Sequence, residues 1–245
     1  TFKLASALSL LEDGLVEPDD KVDVGDGYIV YGNHRLEDSG DEGLGVITFQ
    51  EAFEKSSNVG ISKLIVENYE KRPSDFVDRL YRLGLNQKLG LEIKGEGVPD
   101  IKYTYSPLWS KISLPMMSIG YEVRQTPLQV LTFYNAIANN GEMVKPLFVE
   151  EVRNHGKVIR RYDKTVLNHK ICSQETLEKI RPMLEGVVES GSAKNLRNSY
   201  YPIAGKTGTS QIADANHGYK QGRYQASFAG YFPSADPRYS CIVVI

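Results

Sequence analysis

The feature that most constrains the fold is a change of pattern along the chain, from helical periodicity to strand-like runs near the end. Residues 203–211, 224–232 and 239–245 read as strands, and they are separated by Gly, Pro, Asn and Asp. Helices that precede consecutive strands are typical of α+β proteins, in which helices pack beside an antiparallel sheet. The sequence therefore predicts an α+β fold, with a helical part over about 1–190 and late strands over about 202–245.

Local signals place several helices. Thr48-Phe49-Gln50-Glu51 is a capping box, and Thr126-Pro127 combines an N-cap with proline at the first helical position. Further helices are predicted over residues 2–12, 59–69, from a Ser74 cap to Gly84, and from Ser173 to about Ser190 with a perturbation at Pro182. Residues 88–115 are predicted to be irregular, and residues 13–46 to form a long ordered loop with a short strand at Tyr28–Tyr31. A long irregular segment in a compact domain often has a functional reason.

Composition excludes several classes of protein. The formal net charge of −2, from 29 Lys+Arg and 31 Asp+Glu, argues against a nucleic-acid binder or a polybasic membrane binder. The 15 Tyr and 8 Phe argue against a disordered chain. The two cysteines are isolated and the four histidines are scattered, so no metal-site spacing is present: Cys172, Cys241, His34, His155, His169 and His217.

Neither end of the sequence looks like a natural terminus. The sequence starts at Thr1 without Met, and it stops within an apolar run at residues 241–245. Natural termini are usually polar and frayed. We therefore expect an excised fragment, for which missing targeting signals say little about the longer protein.

The string Lys206-Thr207-Gly208-Thr209 on the first late strand is the most distinctive local feature. Strand alternation places Thr207 and Thr209 on one face and Lys206 on the other. Gly208 lacks a side chain, so another group can approach the strand edge closely. These features suit an extended anionic substrate laid along the strand. The alternative is an ordinary strand with a bulge glycine; a nucleotide-binding loop fits poorly because no helix follows.

Ser56-Ser57-Asn58 and Lys3 are the other candidates. Ser and Asn lead N-cap usage, so the triplet taken alone is more simply a helix cap. The functional alternative has Ser56 and Asn58 facing a cleft as hydrogen-bonding and proton-relay groups. Lys3 taken alone is more simply a solvated lysine on an amphipathic helix.

Together, these three elements resemble the Ser-x-x-Lys, Ser-x-Asn and Lys-Thr-Gly motifs of penicillin-binding proteins and serine β-lactamases. Thr1-Phe2-Lys3 is similar to the last three positions of the first motif, so the nucleophilic serine would immediately precede Thr1. The chain also resembles the transpeptidase domain of class B penicillin-binding proteins, and within it the septal type, in five segments: 54–62, 117–129, 135–146, 186–193 and 205–211. Two departures are Gly120-Tyr121-Glu122, where many relatives have Gly-Gln-Gly, and Ser192, where they usually have Thr.

The resemblance implies a penicillin-binding/serine β-lactamase-like transpeptidase fold, incomplete at both ends, and roles for particular residues. Lys3 would be the base, with its pKa lowered by burial and by the cation of Lys206. Ser56 would shuttle protons, and Asn58 would orient Lys3 and a substrate amide. Lys206 would be catalytic with these three. The implied substrate-binding residues are Ser57, Thr207, Gly208 and Thr209, of which the two threonines bind a terminal carboxylate and the Thr209 N–H helps to form the oxyanion hole.

The implied function is that of a D,D-transpeptidase, which cross-links peptidoglycan stem peptides ending in D-Ala-D-Ala and is acylated by β-lactams. No metal, organic cofactor or nucleic acid is implied. The longer protein would be anchored in the inner membrane with this domain in the periplasm, and it would work with a glycosyltransferase and division proteins. Residues 1–245 alone, without the serine, are expected not to be acylated. Two alternatives stay open: a serine β-lactamase, and a β-lactam sensor or scaffold without turnover.

Overall fold

The computed structural model describes residues 1–40, 43–198, 200–211 and 224–245, so His217 lies outside the described residues. The α-helices are α1 Lys3–Glu12, α2 Phe49–Glu54, α3 Asn58–Tyr69, α4 Pro73–Arg82, α5 Ser113–Ser118, α6 Pro127–Ala138 and α7 Gln174–Glu189. The strands are β1 Lys21–Asp23, β2 Tyr28–Tyr31, β3 His34–Glu37, β4 Val46–Thr48, β5 Asp100–Ile101, β6 Val123–Arg124, β7 Met143–Val144, β8 Glu151–Asn154, β9 Lys157–Arg161, β10 Val166–Asn168, β11 Ala204–Gln211, β12 Tyr224–Phe232 and β13 Tyr239–Val244. A short 3₁₀ helix spans Lys194–Leu196.

The late strands form one antiparallel sheet in the order β11-β12-β13, which confirms the predicted α+β class. β11 pairs with β12 along its whole length, from Ala204 opposite Tyr231 to Gln211 opposite Tyr224. β13 pairs with the other edge of β12, and α6 and α7 pack against the sheet. β11 is therefore a sheet edge, free to face a cleft.

Helix α1 lies at the centre of the helical part. Every residue from Lys3 to Leu11 is buried, and the helix contacts α3, α4 and α7. A helix that is apolar nearly all round is one that other elements enclose. Its two interior serines are satisfied, because Ser6 Oγ donates to the Ser118 carbonyl (2.5 Å) and Ser9 Oγ donates to the Ala5 carbonyl (2.8 Å). The amphipathic surface helix that the sequence suggested is thus a core helix.

Capping signals predicted the starts of α2, α6 and α7. The predicted capping box at Thr48 and the predicted caps at Thr126 and Ser173 are present, and Thr126 also forms a capping box with Gln129. The predicted Ser74 cap is wrong: α4 starts at Pro73, and Arg72 occupies the N-cap without a side-chain hydrogen bond. Helix α7 runs through Pro182 without a break in its assigned span.

The segment 13–46 holds more structure than one short strand. Strand β2 is where it was predicted, but it pairs with β3 in a hairpin, and β1 pairs with β4. This hairpin brings the residues that follow β3 to the start of α3, next to the predicted site. Among the described residues, no helix is both long and apolar enough to cross a membrane.

Candidate active site

Lys3 and Ser56 form the hydrogen-bonded pair on the helical wall of a cleft. Lys3 is only 8% exposed, and its Nζ donates to the Ser56 carbonyl (2.9 Å) and to Ser56 Oγ (3.0 Å). Ser56 lies between α2 and α3 with φ of 62°, in the left-handed region that residues other than glycine seldom adopt. This backbone conformation directs both oxygens of Ser56 at the same amine.

Ser57 and Asn58 sit at the start of α3 and differ in their access to the cleft. Ser57 is 2% exposed and acts as the N-cap, with its Oγ accepting from the Gly60 N–H (2.8 Å). Asn58 lines the cleft, and its Nδ2 donates to the Glu37 carbonyl (2.7 Å). The hydrogen bonds described for Lys3 go to Ser56 and not to Asn58. Asn58 therefore lies at the cleft, whereas the Ser57 side chain points back toward the backbone of α3.

Strand β11 forms the opposite wall. Thr207, Gly208 and Thr209 line the cleft, whereas Lys206 is fully buried on the inner face with its Nζ 5.8 Å from the centre of the Phe53 ring. Lys206 is buried and Thr207 and Thr209 line the cleft, as predicted, but Gly208 and Ser210, at the alternate positions, line it too. Lys206 Nζ still reaches the rim, because it donates to Thr207 Oγ1 (3.3 Å).

Ser192, which follows α7, completes this wall. Its Oγ lies 2.7 Å from Thr207 Oγ1 and 3.5 Å from Lys206 Nζ. Its backbone N–H donates to the Glu54 carbonyl (3.0 Å), two residues before Ser56. Ser192 therefore links the helical wall to β11.

The start of α1 is held between β11 and α6. The Thr1 nitrogen donates to the Thr207 carbonyl (3.0 Å), and the buried Tyr134 hydroxyl donates to the Thr1 carbonyl (2.8 Å). A Cβ added to Gly208 would lie 2.6 Å from the Thr1 nitrogen. The predicted close approach to the strand at Gly208 is thus made by the chain itself.

Burial governs the protonation of the two lysines. It lowers the pKa of Lys3 to about 8, against the charge of Asp38, which raises it. Burial also lowers the pKa of Lys206 well below its ordinary value, and the cation of Lys3 lowers it further. The predicted effect of burial on Lys3 is confirmed, but the repulsion between the two ammonium groups acts on the pKa of Lys206. Lys3 is thus suited to accept and return a proton near neutral pH.

The cleft has a volume of about 730 Å³, within the range of small-ligand sites. Its described lining contains no Asp or Glu. In the triplet 120–122, which departs from the pattern of many relatives, Gly120 and Tyr121 line the cleft and Glu122 forms an ion pair with Lys102 (2.9 Å). The described residues contain no group of three or more His, Cys, Asp or Glu placed to hold a metal ion.

Three residues important to this geometry were not predicted. Asp38 accepts hydrogen bonds from the start of α3, Tyr134 holds the Thr1 carbonyl, and Ser192 bonds to Thr207. The only available signals were the length of the segment 13–46, which contains Asp38, and the departure at Ser192.

The fold and the cleft define a class of protein. A helix that carries a lysine, a serine turn that bonds to it and a facing Lys-Thr-Gly strand are found together in penicillin-binding proteins and serine β-lactamases. The sequence-family model described as 'Penicillin binding protein transpeptidase domain' matches residues 1–245, and the chain belongs to this family.

Relatives of known name support the assignment. The chain is 30% identical over 248 residues to penicillin-binding protein PbpB of Mycolicibacterium smegmatis, covering 97% of this chain and 37% of the relative. It is 30% identical over 200 residues to peptidoglycan D,D-transpeptidase FtsI of Escherichia coli K12, covering 81% of this chain and 31% of the relative. The chain therefore spans about a third of the length of these proteins.

A solved structure shows the same fold. The crystal structure of penicillin binding protein 3 from Mycobacterium tuberculosis in its apo form superposes with a TM-score of 0.83 at 30% identity. The match covers 99% of this chain and 55% of that chain. A complex of the same protein with aztreonam superposes equally well, with a TM-score of 0.83.

Proposed function

We propose that this domain catalyses D,D-transpeptidation of peptidoglycan stem peptides through a serine acyl-enzyme and that β-lactams acylate it. The observation that carries the proposal is the Lys3–Ser56 pair, which faces the hydroxyls of β11 across the cleft. The names of relatives agree with it, since one of them is called a peptidoglycan D,D-transpeptidase.

The nucleophile in this proposal is a serine joined to the nitrogen of Thr1, three positions before Lys3. Residues three apart on a helix share a face, so the hydroxyl would point toward the amine of Lys3. The Thr1 nitrogen already lies against the edge of β11, 3.0 Å from the Thr207 carbonyl. The preceding residue would therefore start inside the cleft.

Proton transfer in this mechanism uses the helical wall. Lys3, with a pKa of about 8, takes the serine proton as the hydroxyl attacks the D-Ala-D-Ala carbonyl. Ser56, bonded to the amine at 3.0 Å, passes a proton to the departing D-Ala amine. A stem-peptide amine then attacks the acyl-enzyme, and the serine is released.

Substrate binding uses the sheet wall. Thr207 and Thr209 bind the terminal carboxylate, and the Thr209 N–H together with that of the serine stabilises the oxyanion. Lys206, buried behind Thr207, adds positive character when it is protonated. Asn58 is proposed to contact the substrate amide, whereas the buried position of Ser57 favours a capping role for that residue.

The absence of a carboxylate from the described cleft lining favours a transferase over a class A β-lactamase. A class A β-lactamase deacylates through a glutamate that activates water. Without such a group in the described lining, a penicilloyl-enzyme is expected to persist for hours.

The wider role is also proposed. The resemblance of the sequence to septal penicillin-binding proteins supports a role in division, beside a glycosyltransferase and division proteins. The same resemblance supports an envelope location, with the domain in the periplasm and an inner-membrane anchor elsewhere in the protein.

The test uses three proteins: residues 1–245 alone, the same chain preceded by Ser, and the same chain preceded by Ala. Each is incubated with a fluorescent penicillin and then denatured. Only the serine form is expected to retain label, for hours, and turnover within minutes would instead indicate a β-lactamase. Persistent label on the alanine form would contradict the proposed nucleophile. A cross-linking assay on nascent peptidoglycan then distinguishes a transpeptidase from a sensor that is acylated by β-lactams but cross-links nothing.

A further inference from the structure

The carboxylate of Asp38, one residue beyond β3, holds the N-terminus of α3. It accepts from Ser57 Oγ (2.7 Å), from the Val59 N–H (2.9 Å) and from the Asn58 N–H. Ser57 Oγ in turn accepts from the Gly60 N–H (2.8 Å). The first amides of a helix lack partners inside it. Asp38 satisfies two of them and orients the hydroxyl that satisfies the third.

These bonds fix the residues directly after Ser56. Ser56 has the disfavoured φ of 62°, so the conformation persists only because its surroundings impose it. On one side, the Ser57 N–H donates to the Ala52 carbonyl at the end of α2 (2.8 Å). On the other side, the turn at 57–59 is tied to Asp38. The position of the Ser56 oxygens on Lys3 therefore depends on a residue 18 positions earlier in the chain.

Asp38 also supplies a charge that the cleft lacks. The titratable groups that line the cleft around Lys3, or that bond to or interact electrostatically with its lining, are in the described residues the Thr1 amine before α1, Lys55 after α2, Tyr121 after α5, Tyr134 of α6, Lys206 of β11 and Asp38. Asp38 is the one acid in this group. Its negative charge opposes the lowering of the Lys3 pKa by burial.

We propose that Asp38 is a positioning residue for the Lys3–Ser56 pair, which it controls through the turn at 57–59 and through its charge. The inference rests on the proposed function, in which this pair moves the serine proton. Its test needs no acylation, so the two can fail separately.

The test measures the pKa of Lys3 by ¹³C NMR titration of lysine-labelled protein, with the resonance assigned from a Lys3→Met variant. Asp38→Asn removes the charge and keeps the shape. The matched control is Glu12→Gln, because the Glu12 carboxylate also accepts three hydrogen bonds at a helix start, from Ser173 N–H (2.8 Å), Ser173 Oγ (2.8 Å) and Thr176 Oγ1 (2.6 Å). Glu12 lies beside the start of α7, at the other end of α1 from Lys3.

Asp38→Asn is expected to lower the Lys3 pKa from about 8 by roughly one unit, while Glu12→Gln leaves it unchanged. An unchanged pKa in Asp38→Asn would overturn the proposal. A rise toward the ordinary value would mean that the cleft has opened, and Asp38→Glu then decides: recovery of the wild-type pKa supports the proposal, and no recovery overturns it. In the serine form, the acid limb of the acylation pH profile is expected to move with the Lys3 pKa.

Discussion

The two walls of the cleft are built by different kinds of bond. On the sheet side, β11 is fixed by a continuous backbone ladder to β12, from Ala204 to Gln211. On the helical side, Ser56 sits in a strained turn that the distant Asp38 side chain stabilises. A backbone ladder tolerates many side-chain changes, whereas a turn held by one carboxylate does not. The sheet wall is therefore expected to be robust and the helical wall sensitive to single substitutions.

The largest effect is expected on the helical wall. Lys3→Met removes the proposed base and is expected to slow acylation of the serine form by about 10³-fold, within the usual range for loss of a general base. Stopped-flow measurement with a chromogenic cephalosporin gives the rate. Lys63→Met, which changes a lysine of α3 whose amine donates to the Asp23 carbonyl, is the control and is expected to leave the rate unchanged. A loss below tenfold in Lys3→Met would rule out Lys3 as the base.

The sheet wall has one sensitive point, Gly208. In Gly208→Ala the new Cβ would lie 2.6 Å from the Thr1 nitrogen and 2.7 Å from Ser227 Oγ, so β11 and α1 must separate. We expect acylation to fall by roughly 10²-fold, the scale of a misplacement of about 1 Å, with a stability loss of about 1–3 kcal/mol. Gly156→Ala, in the turn between β8 and β9 where a Cβ meets nothing within 4 Å, is the control for acylation. A wild-type acylation rate in Gly208→Ala would show that β11 accommodates the added methyl group without displacing the residues of the cleft.

The pH dependence of stability tests the burial of Lys3. Its folded pKa of about 8 is below the unfolded value, so the unfolded chain binds more protons between about pH 8 and 10.5, and stability rises with pH there. Between pH 7 and 9.5 this contribution is about 2 kcal/mol. Urea unfolding at both pH values measures it, and Lys3→Met is expected to remove this part of the increase. An equal increase in both proteins would mean that Lys3 titrates normally.

The smallest effect is expected at Ser192. Ser192→Ala removes the 2.7 Å contact with Thr207 Oγ1, and loss of one such hydrogen bond corresponds to about 0.5–1.5 kcal/mol. We expect acylation efficiency to fall about 3–10-fold, mainly through weaker binding. Ser190→Ala, two residues earlier, is the matched control. If both variants behave alike, Ser192 has no special part in the sheet wall.

The sheet wall was predictable because its determinants are local. The strand at Tyr224–Phe232 has the predicted limits, and β11 differs by one residue from the predicted 203–211. Alternation along β11 also separated the buried Lys206 from Thr207 and Thr209, although it did not predict that Ser210 lines the cleft. The capping box at Thr48 and the N-cap with a following proline at Thr126 were likewise visible, since each is contained in at most four consecutive residues.

The helical wall was not predictable in the same way. The role of Asp38 depends on the β2–β3 hairpin, whose strands have four residues each and little periodicity. Helix α5 was missed because it has only six residues and contains Pro115. The position of α1 in the core depends on which elements enclose it, and that is decided by packing between distant parts of the chain. The Ser74 cap failed because the helix starts at Pro73, two residues before the start that a cap at Ser74 implies.

The enclosure of α1 has a consequence for how the domain loses its cleft on heating. Amides at the centre of an enclosed helix exchange with solvent mainly through opening of the whole domain. Lys3 stands on this helix, and Tyr134 and Thr207 hold the residue at its start. Lys3 is therefore not expected to leave its position in the helical wall before the whole domain unfolds. Thermal inactivation and global unfolding are expected to occur in a single transition, and the slowest-exchanging amides should lie in the same helix as the active-site lysine.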